Sequence, residues 1–173
     1  MAKPVKRAVG IVSKPNKREV AHIMPPLMDW LRSQGRDFVV DPETAAHAGG
    51  VRSVSREEMA GLDLEFLIVL GGDGTFLSAA RAVAKSGIPI VGVNLGALGF
   101  LTEIPLEELY STLEGIERGS FVLDVRSMVH CDVSRAGSII ASYDALNDVV
   151  VGKGTIARLN HCDLAINQVF VSR

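Results

Sequence analysis

The first 120 residues alternate between two patterns of apolar and polar positions. Short continuous apolar runs, which are typical of strands buried on both faces, occur at residues 8–12, 38–40, 66–70 and 90–93. Apolar residues recur at helical spacing over residues 19–34, after residue 75, and over residues 105–118. This alternation predicts an α/β fold, a parallel sheet with flanking helices, whose ligands lie beyond the carboxyl ends of the strands.

Local sequence features predict where several of these helices begin and end. Gly35, Gly87 and Gly119 follow helical patterns at the position where a helix commonly stops. Pro25-Pro26 lies inside the first pattern and predicts a kink or a restart of that helix. Residues 41–55 predict a loop, and Ser55 with Glu58 has the spacing of a capping box for a short helix.

After Gly119 the apolar residues no longer recur at helical spacing, and they occupy alternate positions instead. Apolar and polar residues alternate from Phe121 to Val133, which predicts a half-exposed antiparallel strand. Residues 135–138 predict a hairpin turn and residues 139–143 the returning strand, with further β structure at 149–151 and 159–166. The chain stops within the apolar run 169–171. We therefore predict an α/β domain over 1–119 and an incomplete β-rich domain over 120–173, and interpret the chain as the N-terminal portion of a longer protein.

Composition excludes several classes of function. The chain has 173 residues, 47% of them apolar, and a formal net charge of −2. That charge argues against a nucleic-acid or anionic-membrane partner, and no apolar run is long enough to span a membrane. Cys131 and Cys162 do not have metal or redox spacing, and the apolar run after Arg7 is too short for a signal peptide. These observations favour a cytoplasmic location.

The run at 66–70 leads into Gly71-Gly72-Asp73-Gly74-Thr75, where three glycines surround one carboxylate. Glycine lets backbone N–H groups approach a ligand without a Cβ in the way. A strand, a glycine turn and a helix N-terminus in that order favour phosphate binding. Because a carboxylate beside phosphate would repel it, Asp73 indicates a metal-binding or proton-transfer role, and hence phosphoryl transfer. The alternative is a purely structural turn.

Two further segments carry polar groups at positions of interest. In Asn94–Leu101, Phe100 either stacks on a flat ring or fills the core, and Asn94 could hydrogen-bond such a ring. Taken alone, the pair Asn147-Asp148 is typical of a turn. These side chains could also accept hydrogen bonds from ribose hydroxyls.

Two familiar motifs are absent from the sequence, and no histidine is assigned a role. Ser13-Lys14-Pro15 stands where a dinucleotide fingerprint would begin, and the sequence around Lys153 lacks the spacing of a P-loop. The four histidines show no partners in the sequence, and they are His22, His47, His130 and His161.

Three segments in this order resemble the bacterial NAD kinases. They are residues 71–77 (GGDGTFL), 91–103 (VGVNLGALGFLTE) and 146–150 (LNDVV). Diacylglycerol kinases, sphingosine kinases and phosphofructokinases share close versions of the first segment, whereas the second and third together are specific to NAD kinases. The resemblance covers most of the chain from the first strand onward.

The resemblance implies ATP-dependent phosphorylation of the adenosine ribose 2′-hydroxyl of NAD, at a site between an α/β domain and a β-rich domain. It implies that Asp73 is the general base, although a metal-ligand role stays open. The residues expected to contact NAD are Asp73, Gly74, Phe100, Asn147, Asp148 and Arg158. Many relatives have Glu in place of Asp148. Phosphate is expected to face Gly71, Gly72 and Thr75.

The cofactors and substrates implied are ATP, NAD and Mg²⁺ or another divalent cation. The expected partners are small-molecule nucleotides, without nucleic acid or membrane, and the full-length protein is expected to form a homo-oligomer. Family members continue into a Thr/Gly/Ser-rich segment that completes the site, and nothing in this chain matches it. We therefore expect the chain alone to bind NAD weakly and to turn over little or nothing.

Two other functions fit parts of the sequence. A lipid or sugar-phosphate kinase could use the same glycine–aspartate turn, but a lipid kinase should also show a face for membrane contact, and none is evident. A non-catalytic nucleotide-binding or oligomerisation module is the second alternative.

Overall fold

The computed structural model of the chain describes residues 7–96, 99–152 and 162–172. The strands are β1 (Ala8–Ser13), β2 (Phe38–Val40), β3 (Leu64–Gly71), β4 (Ile90–Asn94), β5 (Ile104–Pro105), β6 (Val129–Arg135), β7 (Ser138–Ala145), β8 (Leu164–Ile166) and β9 (Val169–Ser172). The helices are α1 (Val20–Ser33), α2 (Pro42–Ala45), α3 (Arg56–Met59), α4 (Asp73–Val83) and α5 (Leu109–Glu117).

The first five strands form one parallel sheet in the order β2-β1-β3-β4-β5. The two central strands β1 and β3 are buried along almost their whole length, as their continuous apolar sequences predicted. Helices α1 and α5 pack on one face of the sheet through a core that includes Ile11 and Ile68. Helices α3 and α4 pack on the other face around Val12 and Val69. The predicted parallel sheet with flanking helices is confirmed.

Helix α1 runs without interruption through Pro25 and Pro26, so the helix does not restart there. Both prolines face solvent, while the residues around them on the buried face pack into the core. A helical proline removes the hydrogen bond to the carbonyl four residues earlier, here those of Ala21 and His22. Both of these residues are exposed, so water can satisfy their carbonyl groups.

Other helix boundaries follow the local chemistry. The capping box between Ser55 and Glu58 is present at the start of α3. Gly35, Gly87 and Gly119 have φ values of 69°, 63° and 71°, the left-handed conformation expected of glycine after a helix. The predicted loop over 41–55 contains α2, because the Asp41 side chain accepts a hydrogen bond from the Thr44 N–H and caps a short helix.

The region after α5 begins with irregular backbone. Phe121–Met128 forms no strand, contrary to the predicted strand from Phe121 to Val133. The physical reason is strand pairing. Strand β7 already pairs with β6 from Val129 to Arg135 and ends at Ala145, so no strand among the described residues pairs with 121–128. The predicted strand at 149–151 is also wrong, since these residues are exposed and irregular.

The antiparallel hairpin β6–β7 turns at residues 135–138 as predicted, and β8–β9 forms a second two-stranded sheet. The predicted β structure at 159–161 lies outside the described residues. His130 has partners that the sequence did not reveal, since its ring nitrogens lie 2.6 Å from Asp144 Oδ1 and 3.2 Å from Asp132 Oδ1. The domain boundary between residues 119 and 120 stays a prediction. Within the described ranges, no helix combines the length and apolar character needed to cross a membrane.

Candidate active site at the carboxyl edge of the sheet

The glycine turn lies where β3 leaves the sheet and α4 begins. Gly72 caps α4 in an extended conformation, and its carbonyl accepts hydrogen bonds from the N–H groups of Thr75 and Phe76. Gly71 is the last residue of β3, and a Cβ there would lie 2.8 Å from the Cβ of Thr75. Gly71 is therefore required for the close packing of Thr75 against the strand, and it is itself buried.

The Asp73 carboxylate is held by the loop that follows β4. Its Oδ2 accepts a hydrogen bond from the Phe100 N–H at 2.9 Å. Its Oδ1 accepts from the N–H groups of Leu101 and Thr102 at 3.0 and 3.1 Å, and from the Thr102 hydroxyl at 3.2 Å. Backbone N–H donation, from Phe100 first and then Leu101, lowers the pKa of Asp73 below its ordinary value. Asp73 is thus an ionised carboxylate with a fixed orientation at neutral pH.

A second layer of hydrogen bonds holds this loop in turn. Thr102 is fully buried, and its hydroxyl accepts a hydrogen bond from Asn94 Nδ2 at 3.0 Å. The Asn94 Oδ1 accepts from the Gly96 N–H at 2.7 Å. Asn94, which the sequence suggested as a contact for a flat ring, is buried and shapes the loop. Thr102 lies in the segment that carries the resemblance, but no pattern in the sequence marks it as a site residue.

A cavity of about 280 Å³ opens beside the same turn, lined by Lys14, Pro15, Arg56, Gly72, Gly74 and Thr75. In the sequence, Asp73 lies between Gly72 and Gly74. Its carboxylate accepts hydrogen bonds from the loop at residues 100–102. Two cationic side chains, Lys14 and Arg56, therefore line the cavity, while the neighbouring Asp73 carboxylate is hydrogen-bonded to the loop at 100–102.

The other predicted site residues are distributed differently. The Phe100 side chain is 92% exposed, so the alternative in which it fills the core is wrong. Asn147 and Asp148 are exposed, Asn147 in the bend that follows β7 and Asp148 directly after it, which agrees with their turn chemistry. Within the described residues, the hydrogen bonds of Asp73 go to 100–102 and none goes to Asn147 or Asp148. Arg158 lies outside the described residues.

The fold belongs to the class of doubly wound α/β proteins, in which ligands lie at the carboxyl edge of the sheet. The model of the ATP-NAD kinase N-terminal domain family matches residues 9–121. The NAD kinase of Koribacter versatilis is 50% identical over 165 residues, which is 95% of this chain and 58% of that protein. The NAD kinase of Acidobacterium capsulatum is 44% identical over 166 residues, with shares of 96% and 58%. The chain belongs to the NAD kinase family.

A solved structure shares the architecture. The crystal structure of yeast NADH kinase complexed with NADH matches with a TM-score of 0.83, over 96% of this chain and 54% of that one, at 19% identity. At this identity the likeness supports the fold alone. The chain spans 58% of the length of the curated relatives named above, so the activity of the whole protein is a matter for proposal.

Proposed function

We propose that the protein to which this chain contributes transfers a phosphoryl group from ATP to the adenosine ribose 2′-hydroxyl of NAD, giving NADP. Membership of the NAD kinase family supports the reaction. The observation that carries the proposal is the fixed, ionised Asp73 carboxylate at the first turn of α4, beside an open cavity.

Asp73 would act on the acceptor hydroxyl. A hydroxyl is a weak nucleophile at neutral pH, and a carboxylate within reach of its proton accelerates attack by about 10²–10⁴-fold. An ionised carboxylate has about four acceptor positions. The Oδ1 accepts three hydrogen bonds and the Oδ2 accepts one, so the Oδ2 keeps capacity for a substrate hydroxyl. The lowered pKa keeps Asp73 ionised at neutral pH, so its carboxylate can orient the hydroxyl and accept its proton as the new bond to phosphorus forms.

The other predicted residues have supporting roles in this proposal. Gly72 and Thr75 line the cavity and would face the phosphates, whereas Gly71 contributes by letting Thr75 pack closely. Gly74, Phe100, Asn147 and Asp148 are exposed and thus accessible to a dinucleotide. Arg158 is proposed on the resemblance alone.

The described residues do not form a site for Mg²⁺. No group of three or more His, Cys, Asp or Glu side chains among them is arranged to hold a metal ion. The Asp73 Oδ1 already accepts three hydrogen bonds and the Oδ2 one, and the single position left on Oδ2 does not make a metal site. Mg²⁺ is commonly held largely by the phosphates of its nucleotide, so we derive no step through a protein-bound metal. On the family resemblance we also propose small-molecule nucleotide partners, a cytoplasmic location and a homo-oligomeric full-length protein.

The test is an assay of the full-length protein with ATP and NAD, in which NADP is measured directly. We expect Asp73→Asn to lower kcat by about 10²-fold or more, because the base is lost. Asp63→Asn is the matched control, since Asp63 is a surface carboxylate whose side chain is 81% exposed. Circular dichroism would establish that the Asp73 variant is folded.

Two results would overturn the proposal. One is the absence of NADP from the unaltered protein, with phosphorylation of diacylglycerol or a sugar phosphate in its place. The other is turnover by Asp73→Asn within a few-fold of the unaltered protein, which would remove Asp73 as the base.

A further inference from the structure

A cluster of four polar side chains occupies one face of the β6–β7 hairpin. His130 on β6 lies directly opposite Asp144 on β7, and Asp132 lies opposite Ser142. Because alternate side chains of a strand point to the same face, these four side chains share one face, and we call them the hairpin cluster. The Ser142 hydroxyl donates to Asp132 Oδ1 at 2.5 Å, and the His130 Nε2 lies 3.2 Å from the same oxygen.

Asp144 lies between an imidazole and an ammonium group, one on each of its carboxylate oxygens. Its Oδ1 lies 2.6 Å from His130 Nδ1, and its Oδ2 lies 3.8 Å from Lys85 Nζ. Lys85 belongs to the single 3₁₀ turn Ala84–Ser86, which continues α4. The Asp144 carboxylate therefore joins the hairpin cluster to the end of α4.

This contact connects the two segments that carry predicted site residues. Helix α4 begins at Asp73, and Lys85 lies just beyond its last residue. Strand β7 ends at Ala145, one residue after Asp144, and the bend that contains Asn147 follows. The position of Asp144 against Lys85 therefore determines where the bend begins relative to α4.

Packing beside the ion pair supports the same contact. Leu146, which lies between β7 and Asn147, is half-buried and lines one cavity together with Val83 and Ala84 at the end of α4. The end of β7 therefore approaches the end of α4 through an apolar contact as well as a charged one.

We infer that Asp144, held between His130 and Lys85, is a positioning residue that fixes the Asn147-Asp148 bend relative to Asp73. The inference rests on the proposed function, in which the bend and Asp73 contact the same dinucleotide. Asp144 acts through the backbone that follows it, so it is not a catalytic residue.

The contact between His130 and Asp144 depends on the proton of the imidazole. The charged groups that face this pair from the described elements are Asp132 on β6 and Lys85 after α4, the latter through Asp144. A protonated imidazole donates to both carboxylates, whereas a neutral one has a single N–H and can donate to only one of them. Deprotonation of His130 therefore leaves two neighbouring carboxylates with one donor between them.

The pKa values give the direction of this dependence. The hydrogen bond with Asp144, and then the charge of Asp132, raises the pKa of His130 above its ordinary value of 6.5. The stabilisation is therefore fully present below 6.5 and is lost as pH rises through the folded value. The hydrogen bond with His130 lowers the pKa of Asp144 below 3.8, so on the acid side the contact is lost only as pH falls through that lower value.

The test compares the dissociation constant of NAD from the full-length protein at about pH 6 and about pH 9, on either side of the usual range of histidine. Isothermal titration calorimetry measures this constant. We expect NAD to bind about two- to fivefold more weakly at the higher pH, which is the effect of losing one partly exposed charged contact. His22→Gln is the matched control, because His22 is an exposed histidine of α1, and this variant should keep the pH dependence.

Two variants of His130 separate its charge from its shape. His130→Gln should bind NAD weakly at both pH values, because glutamine carries no charge, whereas His130→Arg keeps a cation and should bind tightly at both. A merely structural role for the imidazole would weaken both variants alike, and that result would contradict the inference. In assays of NADP formation the change should appear in KM for NAD, with kcat altered less, since Asp73 keeps its hydrogen bonds to 100–102.

NMR spectra of the full-length protein give a direct measurement of the coupling. As His130 titrates, the amide signals of Asn147, Asp148 and Lys85 should shift with the same midpoint, and Asp144→Asn should remove this common step. An unaltered NAD affinity profile in His130→Gln, or amide signals of the bend that do not follow His130, would overturn the inference. If the protein makes NADP and either result is found, the inference fails and the proposed function stands. If the amide signals follow His130 but no NADP forms, the bend is positioned as inferred and the proposed function fails.

Discussion

Asp73 and Thr102 are joined by two hydrogen bonds across 29 residues of sequence: the Asp73 Oδ1 accepts from the Thr102 N–H at 3.1 Å and from its hydroxyl at 3.2 Å. Asp73 follows β3 and Thr102 follows β4, and these strands are neighbours in the sheet. The contact therefore couples the glycine turn to the second loop of the site. A ligand that displaces one of these segments must therefore break these hydrogen bonds or displace the other segment as well.

The Thr102 hydroxyl should contribute to the stability of this part of the fold. It donates to Asp73 and accepts from Asn94 Nδ2, while Thr102 itself is fully buried. We expect Thr102→Val, which keeps the shape but removes the hydroxyl, to lower the free energy of unfolding by about 1–3 kcal/mol. Urea denaturation measures the change. Thr102→Ser keeps the hydroxyl, so its free energy of unfolding should fall by less. A Thr102→Val variant as stable as the unaltered protein would contradict the prediction.

Gly99 should be intolerant of any side chain. A Cβ at this position would overlap the Asp73 carboxylate and lie 2.8 Å from the Thr102 hydroxyl. We expect Gly99→Ala to displace Asp73, to speed amide hydrogen exchange at 100–102, and to cost about 1–3 kcal/mol. In Gly96→Ala, the matched control in the same loop, the nearest atom to the new Cβ is 3.9 Å away. Equal exchange rates in the two variants would show that the loop tolerates the added methyl group.

The hydrogen bonds to Asp73 should make the loop sensitive to acid. Donation from the N–H groups of Phe100 and Leu101 holds the pKa of Asp73 below its ordinary value of 3.8. Because the folded-state pKa is the lower one, the stabilisation is fully present above the unfolded value and is lost as pH falls through the folded value. The ¹³C shift of the Asp73 carboxyl should therefore titrate below 3.8, together with the amide signals of 100–102. A midpoint at or above 3.8 would refute this, and Asp73→Asn should abolish the coupled step.

The central strands and several helix ends were predictable because their causes are local. Continuous apolar runs specified β1 and β3, and glycine after a helix specified the left-handed residues Gly35 and Gly87. The glycine turn was recognised because it interrupts such a run directly. These features depend on residues within one or two turns of each other, which a pattern along the chain can show.

The remaining features depend on contacts between distant residues. No spacing indicates that Asp73 bonds to residues 100–102, or that Arg56 reaches Asp41 and Ser78. The alternation from Phe121 to Val133 describes a half-exposed strand correctly only from Val129 onward, because only there does β7 supply a partner.

Arg36 should be the most sensitive ionic position of the α/β domain. Its side chain is 3% exposed and donates to both carboxylate oxygens of Glu65, at 2.6 and 3.2 Å. Its Nε pairs with Glu117 in α5, and its Nη1 donates to the Arg7 carbonyl at 3.2 Å. Arg36 therefore connects β3, α5 and the residue that precedes β1.

We expect Arg36→Met to cost about 3–5 kcal/mol of unfolding free energy, because it breaks the largely buried ion pairs of Arg36 with Glu65 and Glu117. The control is Arg32→Met, since Arg32 is 57% exposed and its ion pair with Asp29 should contribute at most about 1 kcal/mol. Urea denaturation of a double-mutant cycle would isolate the pair. If the ion pair with Glu117 is the main cause, Glu117→Gln should destabilise the unaltered protein more than it destabilises Arg36→Met. Additive losses in the double variant would show that packing of the arginine side chain, including its contact with the Phe66 ring, outweighs the charge.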